Sequence, residues 1–149
     1  MKRFQYQLET VLNYKSQVLD DLRLEHAQIV YRVNQKKDEI RHLNHRLVQY
    51  QEEFDQTKRA GASIESYRLY DMCIGKMEQT IDQEKERLKT LKKKEAKKQE
   101  EVVEAKIDTS KYEKLKERQW KAYQKDELKS EEAFVEEFVT RSYAKTGDV

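Results

Sequence analysis

Residues 8–57, LETVLNYKSQVLDDLRLEHAQIVYRVNQKKDEIRHLNHRLVQYQEEFDQT, decide the fold. Alternate steps of four and three from Leu8 reach Leu12, Lys15, Leu19, Leu22, His26, Ile29, Val33, Lys36, Ile40, Leu43, Leu47, Tyr50, Phe54 and Thr57. Eleven of these fifteen positions are apolar. A hydrophobic repeat of 3.5 residues sustained over seven heptads keeps a narrow apolar seam turned toward a partner helix, the requirement of a left-handed coiled coil. At ~1.5 Å per residue the stretch would span on the order of 75 Å.

Composition points the same way. In 149 residues, 40% are charged and 36% hydrophobic, with no proline and three glycines. That is the bias of long helices, and a proline inside one would cost ~3 kcal/mol. A net charge of +2 is too small to indicate nucleic acid by itself. The opening Met-Lys-Arg-Phe-Gln-Tyr has no apolar run of the secretory type, and no stretch approaches the ~20 apolar residues of a membrane span, so a cytoplasmic chain is expected. Cys73 is the only cysteine, which excludes an internal disulfide and fits a reducing compartment; it is expected to be buried.

The first helix should begin near Phe4 and end by residue 58. Lys58 and Arg59 then supply late-turn cations, Gly61 can take a positive φ, and Ser63 or Ser66 can cap the next helix with Glu65 in its first turn. A second seam follows: Tyr67, Tyr70, Ile74, Met77, Ile81, Glu84, Leu88, Leu91, Glu95, Lys98, Val102, Ala105, Thr109 and Tyr112. Ten of these fourteen are apolar. If the helices fold back about Ala60-Gly61, facing residues have numbers totalling 120 or 121. Lys36 then faces Glu84 and His26 faces Glu95, so polar interruptions of one seam meet complementary interruptions of the other and fix the register.

The fold expected is therefore all-α: a long antiparallel two-helix coiled-coil hairpin with an overhanging C-terminal helix. It forms a single domain, with helix 1 at about 4–58, a turn at 59–63, helix 2 at 64–140 and a frayed tail at 141–149. Toward the open end the same register sets Leu22 against Lys98, Leu12 against Thr109, Glu117 against Phe4 and Trp120 against Met1, and leaves everything from Lys121 onward without a partner. A parallel homodimer of the first helix is the alternative; it has no use for the glycine turn.

Two surface features stand outside the seams. Lys85, Arg87, Lys89, Lys92, Lys93, Lys94, Lys97 and Lys98 form a basic run, read either as a solvated face paired with nearby glutamates or as a dock for an acidic surface or nucleic acid. No interleaved aromatics support the nucleic-acid reading. In the overhang, Leu128, Phe134, Val135, Phe138 and Val139 make an apolar stripe among acidic residues, which suggests a partner surface, a fold-back onto the hairpin, or self-association.

Catalytic chemistry finds no support in the sequence. There is no glycine-rich phosphate loop, and His42 and His45 lack the third ligand a metal would need. A two-helix hairpin also offers no dry concave pocket, so no enzyme activity, catalytic residue, metal, cofactor or small-molecule substrate is expected.

The ends of the chain resemble the flagellar FliJ proteins. The matching stretches are Phe4-Gln-Tyr-Gln-Leu8-Glu-Thr-Val-Leu12-Asn-Tyr-Lys, Lys111-Tyr-Glu-Lys-Leu115-Lys-Glu-Arg, and Glu131-Glu-Ala-Phe-Val-Glu136-Glu137-Phe, with Glu136 standing where the family often has aspartate. The resemblance implies a hairpin similar to the stalk subunit of rotary ATPases and a non-enzymatic role in the flagellar type III export apparatus, hence in motility and chemotaxis. Its partners would be the hexameric export ATPase, the cytoplasmic domain of the export-gate membrane protein, and export chaperones. It would sit at the cytoplasmic face of the inner membrane at the flagellar base. In that picture Phe4, Leu8, Leu12, Tyr112 and Leu115 at the open end enter the ATPase ring, and Tyr50, Phe54, Tyr70 and Met77 in the hairpin half meet the gate. The rival readings are a stalk of a virulence-type secretion system or of a rotary ATPase, and a helical nucleic-acid-binding protein.

Overall fold

A computed structural model describes residues 2–147. The chain forms two helices that pack on each other as an all-α hairpin, α1 (Glu9–Ala60) and α2 (Ile64–Thr146). No residue among those described is in a strand. Every position of both seams is buried or half-buried, and the residues between them are mostly exposed, so the 3.5-residue period is written directly into solvent exposure. Leu12, Leu19, Val33, Ile40 and Ile81 are the most deeply covered aliphatic side chains, at 4–8% exposed. The hairpin divides into two compact units, residues 21–102 and residues 2–20 with 103–147, taken in turn.

In the first unit the connection is three residues long. Gly61 takes φ +79°, a left-handed conformation that a β-carbon disfavours. Its N–H donates to the Lys58 carbonyl at 3.4 Å, closing the last turn of α1. Ser63 Oγ accepts the Ser66 N–H at 3.3 Å, which makes Ser63 the N-cap and leaves Ser66 inside α2. Next to the turn, the Phe54 ring meets Tyr67 edge-on at 5.9 Å and stacks on Tyr70 at 5.4 Å. Farther along, Lys36 Nζ lies 2.6 Å from Glu84 and His26 Nε2 3.0 Å from Glu95. The Lys98 ammonium reaches Glu25 at 2.9 Å and Glu101 at 2.8 Å.

In the second unit Lys15 pairs with Asp108 at 2.6 Å and Glu9 with Lys116 at 2.7 Å, long side chains reaching across beside the seam, and the Phe4 ring meets Trp120 at 5.1 Å. Thr109, on the seam, is buried to 2% exposure with its hydroxyl satisfied by the Ala105 carbonyl at 2.7 Å and the Lys15 carbonyl at 3.3 Å.

Helix α1 starts at Glu9, five residues later than the repeat suggests. Residues 2–6 are non-helical, and the Glu9 N–H closes a turn on the Tyr6 carbonyl at 3.1 Å. Phe4 and Tyr6 are two residues apart; a helix would point them 200° apart, whereas the non-helical chain lays both rings on α2. At the other end α2 runs past residue 140 to Thr146, because no glycine or proline intervenes before Gly147, whose N–H donates to the Tyr143 carbonyl at 3.1 Å. Tyr123 is clasped by the N-terminal segment: its hydroxyl donates to the Lys2 carbonyl at 2.7 Å and its ring lies 5.5 Å from Phe4. Contact with the N-terminal segment thus reaches Tyr123, beyond the Trp120 limit that the register suggests. The expected pairing of Trp120 with Met1, and the tail residues Asp148 and Val149, lie outside the described residues.

Candidate partner-docking sites

At the open end three aromatic rings form one cluster. Phe4 meets Trp120 edge-on at 69°, and Trp120 stacks on Tyr123 at 5.7 Å and 19°. Beneath them Tyr6 is buried, and its hydroxyl donates to the Tyr112 carbonyl at 2.8 Å. Burial, with Glu9 beside it, pushes the Tyr6 phenol above its ordinary 10.0, so the bond has a neutral donor throughout the physiological range. The Lys15 ammonium is likewise held above its usual value, first by its hydrogen bond to Asp108.

Of the residues expected to gather here, Leu12 is buried and Phe4, Leu8 and Tyr112 are half-buried on the seam. Leu115 is exposed, one helical position off the seam that passes through Tyr112 and Lys116. Trp120 and Tyr123 complete the cluster and were legible only as an aromatic pair three apart. Tyr6 carried its signal in a two-residue spacing from Phe4 that the heptad reading passes over.

Beyond Tyr123, Glu127 is half-buried and the apolar residues that follow are exposed. Phe134 is 70% exposed and Phe138 65%; Leu128, Val135, Val139 and Tyr143 are exposed as well. Counting along α2, Lys116, Trp120, Tyr123, Glu127, Phe134 and Phe138 share one helical face, so the two phenylalanines extend the face that holds the N-terminal segment.

In the hairpin unit Tyr50, Phe54, Tyr70 and Met77 are half-buried, with edges at the surface. Tyr50 and Met77 line a shallow groove with Leu43, Cys73, Lys76 and Thr80, and Lys58 Nζ sits 3.9 Å over the Phe54 ring. Cys73 is exposed, contrary to expectation, since it precedes the seam position Ile74 and flanks the seam at the groove rather than lying in it. Leu69 and Met72, also off the seam, add exposed apolar surface beside it that the heptad reading does not distinguish from solvated positions.

The polar register residues are shielded: Lys36 is 19% and Glu84 12% exposed. Lys36 raises its own affinity for a proton chiefly through its hydrogen bond to Glu84, and the same bond, aided by Arg87, holds the Glu84 carboxyl below its usual 4.5. His42 and His45 are exposed, and among the described residues no group of three ligating side chains could hold a metal. In the basic run, Arg87 pairs with Glu84 at 2.7 Å and Lys98 with Glu25 and Glu101; the six other lysines are exposed and make no ion pair among the described residues.

No described helix is long and apolar enough to cross a membrane. Searches of curated proteins and of solved structures return no significant match. A scan against protein families matches residues 4–148 to the family described as flagellar FliJ protein, a span that takes in the aromatic cluster, both seams and the exposed stripe. The chain belongs to the FliJ family and is a flagellar export-related protein.

Proposed function

We propose that the chain is a non-enzymatic stalk and adaptor of the flagellar type III export apparatus, docking on the hexameric export ATPase through its open end and linking it to the export gate and to substrate chaperones. The observation that carries this reading is the uncovered apolar face of α2 beyond Tyr123. Phe134 and Phe138, four residues apart and both exposed, are the anchors of a helix that seats in a groove, and isolated chains rarely leave such a face open without use for it. The aromatic cluster of Phe4, Trp120 and Tyr123 gives that face a stiff base and keeps the N-terminal segment beside it. Tyr50, Phe54, Tyr70 and Met77, with the exposed Leu69 and Met72, supply the surface for the gate's cytoplasmic domain, which would hold the protein peripherally at the cytoplasmic face of the inner membrane.

The test is capture from native cell extract with tagged full-length chain, a truncation after Tyr123, and Phe134→Ala/Phe138→Ala. The full chain retains the export ATPase and export chaperones; the truncation and the double substitution reduce ATPase recovery at least tenfold, the loss expected for two aromatic anchors. Undiminished ATPase recovery by the double substitution would remove the stripe from the docking site, and retention of nucleic acid or ribosomal proteins alone would overturn the reading. Tyr50→Ala/Tyr70→Ala, folded by circular dichroism, should lose the gate while keeping the ATPase.

A further inference from the structure

Lys85, Lys89, Lys93 and Lys97 follow one another at intervals of four along α2, with Lys92 beside them. At 3.6 residues per turn each of the four lies about 40° around the helix from the last, so Lys89, Lys93 and Lys97 face away from the seam residues Leu88, Leu91 and Glu95 while Lys85 and Lys92 flank the seam, in a row about 18 Å long. All five are exposed and none makes an ion pair among the described residues, although carboxylates abound in the chain. The helical neighbours of Lys93 three and four residues away are Lys89, Thr90, Ala96 and Lys97, so it has no acidic partner within reach on its own helix. Like charges at this spacing destabilise a helix. Elsewhere in the same unit the chain avoids that cost, as where Lys36 meets Glu84 and Lys98 meets Glu25 and Glu101. Lys93 is the local exception, whereas Asp82, Glu86, Glu95 and Glu100 stand three residues from Lys85, Lys89, Lys92 and Lys97 without pairing with them.

Its chemistry narrows the partner. Every member is lysine, a hydrated point charge, and none is arginine, whose planar fork reads phosphates or carboxylates in fixed pairs. No aromatic or asparagine side chain lies in the stripe to stack on a base or read its edge. The stripe is a row of exposed side chains on a single helix. Such a row of undirected charges suits a surface that is itself extended, diffuse and laterally mobile. We propose that this stripe is an electrostatic contact for a bilayer of anionic phospholipid, made without insertion, the helix lying along the headgroups. None of its residues belongs to the surfaces assigned above to protein docking, so the contact stands or falls independently of them.

The test is co-sedimentation of the full chain with vesicles of phosphatidylcholine alone or mixed with phosphatidylglycerol. The chain sediments with the mixed vesicles and not with phosphatidylcholine. Raising salt from about 0.01 M to about 1 M, which shortens the Debye length from ~30 Å to ~3 Å, releases it. Each lysine near an anionic surface is worth about fivefold in binding, so Lys89→Gln/Lys93→Gln/Lys97→Gln weakens sedimentation about a hundredfold. Glutamine matches lysine in helix propensity and removes the repulsion, so the variant melts at the same temperature or higher. Sedimentation indifferent to phosphatidylglycerol, to salt or to the triple substitution would overturn the proposal. So would retention of the chain on duplex DNA in preference to the mixed vesicles at equal phosphate concentration.

Discussion

Lys36 and Glu84 interrupt the two apolar seams at a level where each would otherwise lie against aliphatic side chains. Shielding makes their bond stronger than a surface pair, and makes a mismatch there costly. Lys36→Glu should destabilise the hairpin by about 1–3 kcal/mol by leaving two carboxylates together, and adding Glu84→Lys should recover more than half, as read by thermal unfolding. The pH dependence has a definite sign. Glu84 is depressed in the fold, so its contribution is complete above the unfolded value of 4.5 and is lost as pH falls through the lower folded value. Lys36 is raised, so its contribution is complete below 10.5 and is lost as pH climbs through the higher folded value. Glu84→Gln should therefore flatten the acid limb of the melting profile below pH 4.5 while leaving the shape near neutrality unchanged. This pair was legible because turn position and heptad phase together fix which residues meet. Lys15 with Asp108 was not, since a flexible lysine reaches a carboxylate beside the seam and the seam itself names only Ala105 or Thr109.

At the scale of elements, the two glycines of the helical region make opposite demands. Gly61 stands at φ +79° with no atom within 4 Å of where a β-carbon would sit, so Gly61→Ala is opposed by backbone conformation alone, at about 1–2 kcal/mol. Gly75 lies inside α2 with the same open surroundings and no unusual φ, so Gly75→Ala should stabilise by about 0.5–1 kcal/mol. Opposite shifts in the urea midpoint at unchanged slope would verify both. The helices and the turn could be read from period and punctuation, because a heptad repeat constrains every fourth or third residue and Gly61-Ala62-Ser63 offers a stop and a cap. The N-terminal segment could not. Its aromatic residues satisfy a helical continuation as well as a non-helical one, and the choice is made by Trp120, Tyr112 and Tyr123, more than a hundred residues away.

For the molecule as a whole, two packed helices joined by one short connection have a kinetic consequence. The contacts that α2 makes with the preceding chain are separated by 9 residues at Tyr67 and Lys58, 48 at Lys36 and Glu84, 69 at His26 and Glu95, and 121 at Tyr123 and Lys2, which precedes α1. Closing the longest of these loops from an open chain costs about 2 kcal/mol more than closing the shortest, but each pair that forms brings the next within reach. Assembly should proceed as a zipper from Gly61, with the aromatic cluster the last to close and the first to open. Gly61→Ala would then slow folding, whereas Tyr6→Phe, which deletes one hydrogen bond worth about 1 kcal/mol at the far end, would leave the folding rate alone and speed unfolding about fivefold in stopped-flow traces. The end of the molecule assigned to docking is thus the end that melts at least expense, and hydrogen exchange there would run ahead of exchange near the turn.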